Sequence, residues 1–186
     1  MTNDISDAQR RVVLQSAVGF AVAQIGLVAG APTAPSVSSV DDFKFLTGNW
    51  KISNRRLKAP GDKEWDVFEG EATVWAMLGG MASIEELRLP ARKFSGLGVR
   101  LFHTEKRQWA DHWVSGKNGV LNDPMMGSFA GGVGTFIAEE VENGKPVKAR
   151  GVWDRITPTS CRWYQSSSRD GGKTWDDNWF MDWRRV

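Results

Sequence analysis

Asp177-Asn178-Trp179-Phe180-Met181-Asp182-Trp183-Arg184-Arg185, close to the C-terminus, is the stretch whose reading decides the fold. Trp179, Met181 and Trp183 fall at every second position, with Phe180, Asp182 and Arg184 between them. Side chains alternate across a strand, so this segment places its large apolar residues on one face and a mixed set on the other. Asp170-Gly171-Gly172 before it supplies residues that tolerate positive φ where a hairpin needs it, and Cys161 to Ser168 is a further β-like run.

Working back toward Phe43, short segments of alternating or aromatic and β-branched character recur between Gly, Pro, Asn and Asp. The spacing predicts strands over Asn49–Arg56, Glu64–Trp75, Met81–Leu89, Leu97–His103, Gln108–Ser115, Gly119–Leu121, Gly134–Glu142, Val147–Ile156, Cys161–Ser168 and Asp177–Arg185. Pro60-Gly61-Asp62, Gly79-Gly80 and Asn143-Gly144 mark turns between them. Asn122-Asp123-Pro124-Met125-Met126-Gly127 reads as a flexible lid or a plain solvated loop, and Gly131-Gly132-Val133-Gly134 as a loop or bulge entering a strand. No period of 3.6 runs through the region, so helices should be few and short. The expected fold is all-β: a single closed antiparallel barrel of about ten strands, paired as sequence neighbours in a meander.

The chain has 186 residues, enough for one well-buried core. Its 24 basic and 22 acidic side chains are scattered, which argues against a nucleic-acid footprint. Cys161 is the lone cysteine, so an internal disulfide framework and a multi-cysteine metal site are excluded, and a small buried hydrophobe is its plain reading. Ten Trp and nine Phe beside one Tyr imply a wide aromatic interior, an interaction surface, or both.

Residues 1–40 read as leader and linker, and 41–186 as the barrel domain. Gln9-Arg10-Arg11-Val12-Val13-Leu14-Gln15 resembles a twin-arginine export signal, followed by a mildly apolar stretch from Ala17 to Ala31 and a Pro/Ser/Thr linker. The stretch is too short and weak for a membrane span, so no stable membrane insertion is expected. This reading predicts a periplasmic protein. The alternative is a helix over Val12 to Leu27 packed on the domain of a cytoplasmic one.

Phe43-Lys44-Phe45-Leu46-Thr47-Gly48-Asn49-Trp50, Leu78-Gly79-Gly80, Leu101-Phe102-His103 with Trp113-Val114, and Ser168 to Trp175 follow one another in an order that resembles the bacterial family called domain of unknown function 1579. The resemblance spans most of residues 43–186 and implies a lipocalin-type, calycin-like barrel with a pocket, but no reaction. Where that family often has Gly-Tyr-Asp, this chain has Leu101-Phe102-His103, so a site built on that tyrosine is not carried over.

Candidate site residues follow from the strand faces. Trp109, Asp111 and Trp113 share one face, opposite Ala110, His112 and Val114. If the tryptophans face inward, so does Asp111, where an unpaired carboxylate would be costly and its pKa raised; Arg150, Arg155, Tyr164 or Gln165 on later strands are its expected partners. Asp111, Glu85 and Tyr164 are the candidates for proton transfer, each with a structural alternative: an ion pair for the carboxylates, core packing for the tyrosine. Trp50, Trp75, Trp109, Trp113, Trp153 and Trp179 are the expected ligand-contacting aromatics, with His112, Arg150 and Gln165 as polar contacts.

His103 and His112 lack close ligand-type companions, so no metal site is expected. Either offers a haem axial ligand, but Leu46-Thr47-Gly48-Asn49-Trp50 replaces the Gly-x-Trp-x-Gly opening of haem-binding barrels, and no cofactor is expected. Ser168-Arg169-Asp170-Gly171-Gly172-Lys173-Thr174-Trp175 matches the Asp-box, a hairpin folding device. Its single copy argues against a propeller.

Three functions fit. The first is a barrel that holds a small apolar or aromatic molecule. The second is a cofactor-independent isomerase, lyase or hydratase acting on a small aromatic or carbonyl compound. The third is an interaction protein with outward tryptophans, and a homodimer is compatible with any of them. An inward carboxylate left unpaired would favour the second over the first.

Overall fold

The computed structural model describes residues 38–186 except 60 and 143. The export-signal-like segment and the alternative helix over 12–27 lie outside the described residues, as do Pro60 and Asn143 of two expected turns.

Ten antiparallel strands close into one barrel. They are β1 (Gly48–Leu57), β2 (Trp65–Met77), β3 (Ala82–Leu89), β4 (Phe94–His103), β5 (Gln108–Ser115), β6 (Met125–Ala130), β7 (Val133–Glu142), β8 (Lys145–Asp154), β9 (Ser160–Ser168) and β10 (Asp176–Arg185). Each pairs with its sequence neighbours, and β1 closes on β10 from Trp50↔Arg185 to Arg56↔Trp179. Closure leaves no free sheet edge, the physical advantage of a meander whose ends meet. Helical structure among the described residues is limited to three short 3-10 turns, the first being Lys44–Leu46.

The sixth strand corrects the sequence reading. Residues 119–121 form no strand; Leu121 makes a single bridge to Val114. The strand is β6, so Met125, Met126 and Gly127 are sheet residues and not a lid. Gly131 and Gly132, at φ 57° and 78°, form the two-residue turn of the β6–β7 hairpin, whose last pair is Ala130↔Val133. Two consecutive positive φ values match the right-handed twist of the flanking strands, and glycine adopts them without strain. Residues 122–127 lack the alternation that marks a strand, so the glycine pair was the better local signal.

Register decides what faces inward. Trp50 and Ile52, Ala72 and Val74, Leu87, Trp109, Phe136, Trp153 and Trp183 are all buried on the inner face. Glycines make room for large rings: Gly127 lies directly opposite Phe136, and Gly96, diagonal to Trp113 across the β4–β5 pair, lies under the Trp113 ring, so that any Cβ at either would strike the ring. Large residues against small ones across a pleated wall let the interior reach native packing density.

One end of the barrel is sealed by residues 38–47. Phe43 enters edge-on against Trp109 at 4.9 Å and Phe129 at 5.0 Å between ring centroids, arrangements aromatic pairs favour. Trp50 Nε1 donates to the Leu46 carbonyl at 2.7 Å. Arg185, lying over Trp50, donates to the Thr47 and Phe45 carbonyls at 2.6 Å each, tying the seal to the last strand. The Asp-box performs its expected role: Asp170 accepts from the Lys173 and Thr174 amides, and Ser168 Oγ from the Gly172 amide.

Candidate functional site

Away from the seal, the barrel opens into a cleft of about 1270 Å³. The ends of β1, β3, β5 and β9, the starts of β2, β4 and β10, and the loops joining them surround it. Phe68, Leu89, Phe94, Trp113 and Trp179 supply its apolar walls, and Gln165, Ser167 and Asn178 a polar side. Trp113 stacks on Phe94 with 6.5 Å between ring centroids. Trp179 is fixed three ways: Nε1 donates to Asn54 Oδ1 at 3.0 Å, Trp163 meets it edge-on at 5.6 Å, and the Arg56 guanidinium lies 4.6 Å over its ring.

A register shift between Asp177 and Trp179 sends Asn178 to the same wall as Trp179. Gln165 Nε2 donates to Asn178 Oδ1 at 3.2 Å, and Asn178 Nδ2 to Ser167 Oγ at 2.9 Å. A bulge of this kind re-aims a side chain that strict alternation would turn outward.

Beneath the cleft, one inward position below Trp113 and thus about 7 Å along β5, lies Asp111. It faces Arg100, its direct cross-strand partner on β4. Arg100 Nη2 donates to Glu85 Oε2 at 2.5 Å, and its Nε stands 3.4 Å from Asp111 Oδ1. Gly98 leaves room for the guanidinium, which also lies over the Phe43 and Trp153 rings. Burial alone would lower the pKa of Arg100, but the two carboxyls outweigh it and hold the guanidinium charged. Two carboxyls for one guanidinium leave a surplus. Burial, reinforced by the charge of Glu85 and opposed by Arg100, raises the pKa of Asp111 above the ordinary carboxylate value.

The expected site residues separate into four groups. Trp113, Gln165 and Trp179 line the cleft. Trp50, Trp109 and Trp153 are fully buried in the sealed half, so they fill the interior and do not line an open space. Asp111 and Glu85 meet in the buried ion cluster. Trp75, His112, Arg150 and Tyr164 stand on the outer face. Trp75 is 43% exposed, and His112 Nδ1 lies 3.0 Å from the Asn122 carbonyl oxygen. Arg150 donates to Ser166 and lies over Trp175, while Tyr164 stacks on Phe180.

The partner of Asp111 is therefore Arg100, not Arg150, Arg155, Tyr164 or Gln165 on later strands. A tight turn between His103 and Gln108 sets this register and brings position 100 opposite 111. That hairpin count was the signal available in the sequence. Arg56, Phe68, Phe94 and Asn178 are the cleft residues that sequence reasoning missed. The first three stand at strand ends, where period-2 patterns fade, and Asn178 depends on the bulge.

Fold and geometry together define a closed antiparallel barrel with one aromatic-plugged end and one open, aromatic-walled end. Compared with protein-family models and with curated proteins, the chain matches none.

Proposed function

We propose that the protein is a small-molecule-binding barrel that holds an apolar or aromatic ligand in its open cleft. The observation that carries this reading is the cleft itself: flat aromatic walls, one of them fixed by the hydrogen bond from Trp179 to Asn54, beside the Gln165–Asn178–Ser167 polar row. Pockets that bind small molecules combine apolar walls with a few convergent polar groups. The pairing of Asp111 with Arg100 favours binding over catalysis, since an inward carboxylate left without a partner would have pointed to proton transfer.

A catalytic reading has one observation of its own. Asp111 is driven toward its protonated form and keeps 16% of its side chain accessible, the properties of a general acid serving an isomerase, lyase or hydratase. The proposal extends to membership of the family called domain of unknown function 1579, supported by the order of the motifs, and to periplasmic export, supported by the paired arginines at Arg10 and Arg11. A homodimer belongs to it as well, supported by an outer cross-strand row of Trp75, Ile84 and Val99.

Native mass spectrometry of the full chain, followed by mild denaturation, tests the binding reading. A stoichiometric small molecule that quenches tryptophan fluorescence when added back is the expected result. An empty chain whose fluorescence ignores a panel of aromatic and apolar compounds would remove it.

A further inference from the structure

We infer that the cleft takes a small aromatic carboxylate, bound with its ring system inward and its carboxylate at the rim against Arg56. The inference rests on the cleft being a ligand site and names the class of ligand.

The rim charges are unequally spent. Lys58 pairs with Glu64, Arg92 with Asp66, and Arg169 with Glu142 and Asp176. Asp177 is engaged by Ser166 and Arg150. Arg56 and Lys117 make no ion pair among the described residues, and Asp62 is the one rim acid in that state, so two free cations face one free carboxylate. Both cations lie on aromatic walls, Arg56 at 4.6 Å over Trp179 and Lys117 at 5.8 Å over Phe94. Stacking holds a guanidinium by its face and leaves its N–H edge free, the geometry that receives a carboxylate in two parallel hydrogen bonds.

The ion cluster beneath the cleft lining favours one orientation. Glu85 and Asp111 oppose a single guanidinium at Arg100, so a ligand entering with its acid first would bring a third carboxyl to a site already short of positive charge. An anion with its ring inward meets Trp113 and Trp179 below and Arg56 above, satisfying both ends.

Isothermal titration of the full chain with 2-naphthoate and with 2-naphthamide tests this, because the two probes share a ring system and differ in charge. The acid is expected to bind about fivefold more tightly, the scale of a partly exposed ion pair. Within Arg56→Gln the acid should bind no more tightly than the amide, whatever the loss of the guanidinium stacked on Trp179 costs both probes, with a native-like urea transition showing that the variant is folded; Arg56→Lys should restore part of the preference. Equal binding of both probes by the native chain overturns the inference and leaves the ligand site standing. Binding of neither overturns both. A preference that survives Arg56→Gln overturns the assignment to Arg56.

Discussion

Arg100 stands between Glu85 and Asp111, bonded to the first at 2.5 Å and 3.4 Å from the second, with only 5% of its side chain exposed. Three ionisable groups thus share one desolvated space inside an aromatic barrel. Removing one member of such a cluster strands the others without compensation. Arg100→Met is expected to cost about 3–5 kcal/mol, read as a lower urea midpoint at unchanged slope. The triple variant Glu85→Gln, Arg100→Met, Asp111→Asn should recover much of that loss. A single variant as stable as the native chain would show that the cluster is not desolvated.

Asp111 and Asp170 should act on stability with opposite signs. Burial raises the pKa of Asp111 above its unfolded value, so as pH falls from neutral through that raised value the folded state takes up a proton the unfolded chain does not, and stability rises until the ordinary carboxylate value is reached. Asp170 is held well below the ordinary range by hydrogen bonds from Thr174 and Ser168. Its contribution is complete above that range and is lost as pH falls through it. Denaturation midpoints between neutral and acid pH should therefore rise and then fall. Asp111→Asn should abolish the rise, and a rise unchanged in that variant would assign it elsewhere.

Core and cleft tryptophans should part company on substitution. Trp109→Ala opens a cavity in the sealed half and is expected to cost about 3–5 kcal/mol, measured by urea unfolding. Trp179→Leu removes one cleft wall and should abolish the fluorescence response to added naphthalene compounds at a much smaller loss of stability. Equal losses for both would mean that Trp179 is core.

Cys161 is buried, and its thiol is pushed up to about 12, chiefly by burial and next by the charge of Glu85. The thiolate is the reactive form, so a disulfide reagent at mildly alkaline pH should leave the native chain unmodified and label it only on unfolding. Rapid labelling of folded protein would show that the β9 wall opens.

Much of the architecture was already written in local pattern. The alternation of Trp179, Met181 and Trp183 and that of Trp109, Asp111 and Trp113 placed two strands and showed which of their residues share a face, because period 2 is a property of the backbone alone; which face turns inward it left open. Strand count, meander pairing and the scarcity of helix follow from the spacing of turn residues, and the Asp-box was legible because all its bonds lie within a few positions. The interior was not legible in the same way. Which tryptophans plug the barrel and which wall the cleft depends on where residues 38–47 insert, a matter of height along the barrel axis that no strand encodes. The union of Glu85, Arg100 and Asp111 depends on the registers of two hairpins taken together, and the inward turn of Asn178 on a bulge. Sequence determines which residues share a face, because alternation is local. Tertiary structure decides depth and partners, because these are set by closure of the sheet and by what packs inside it.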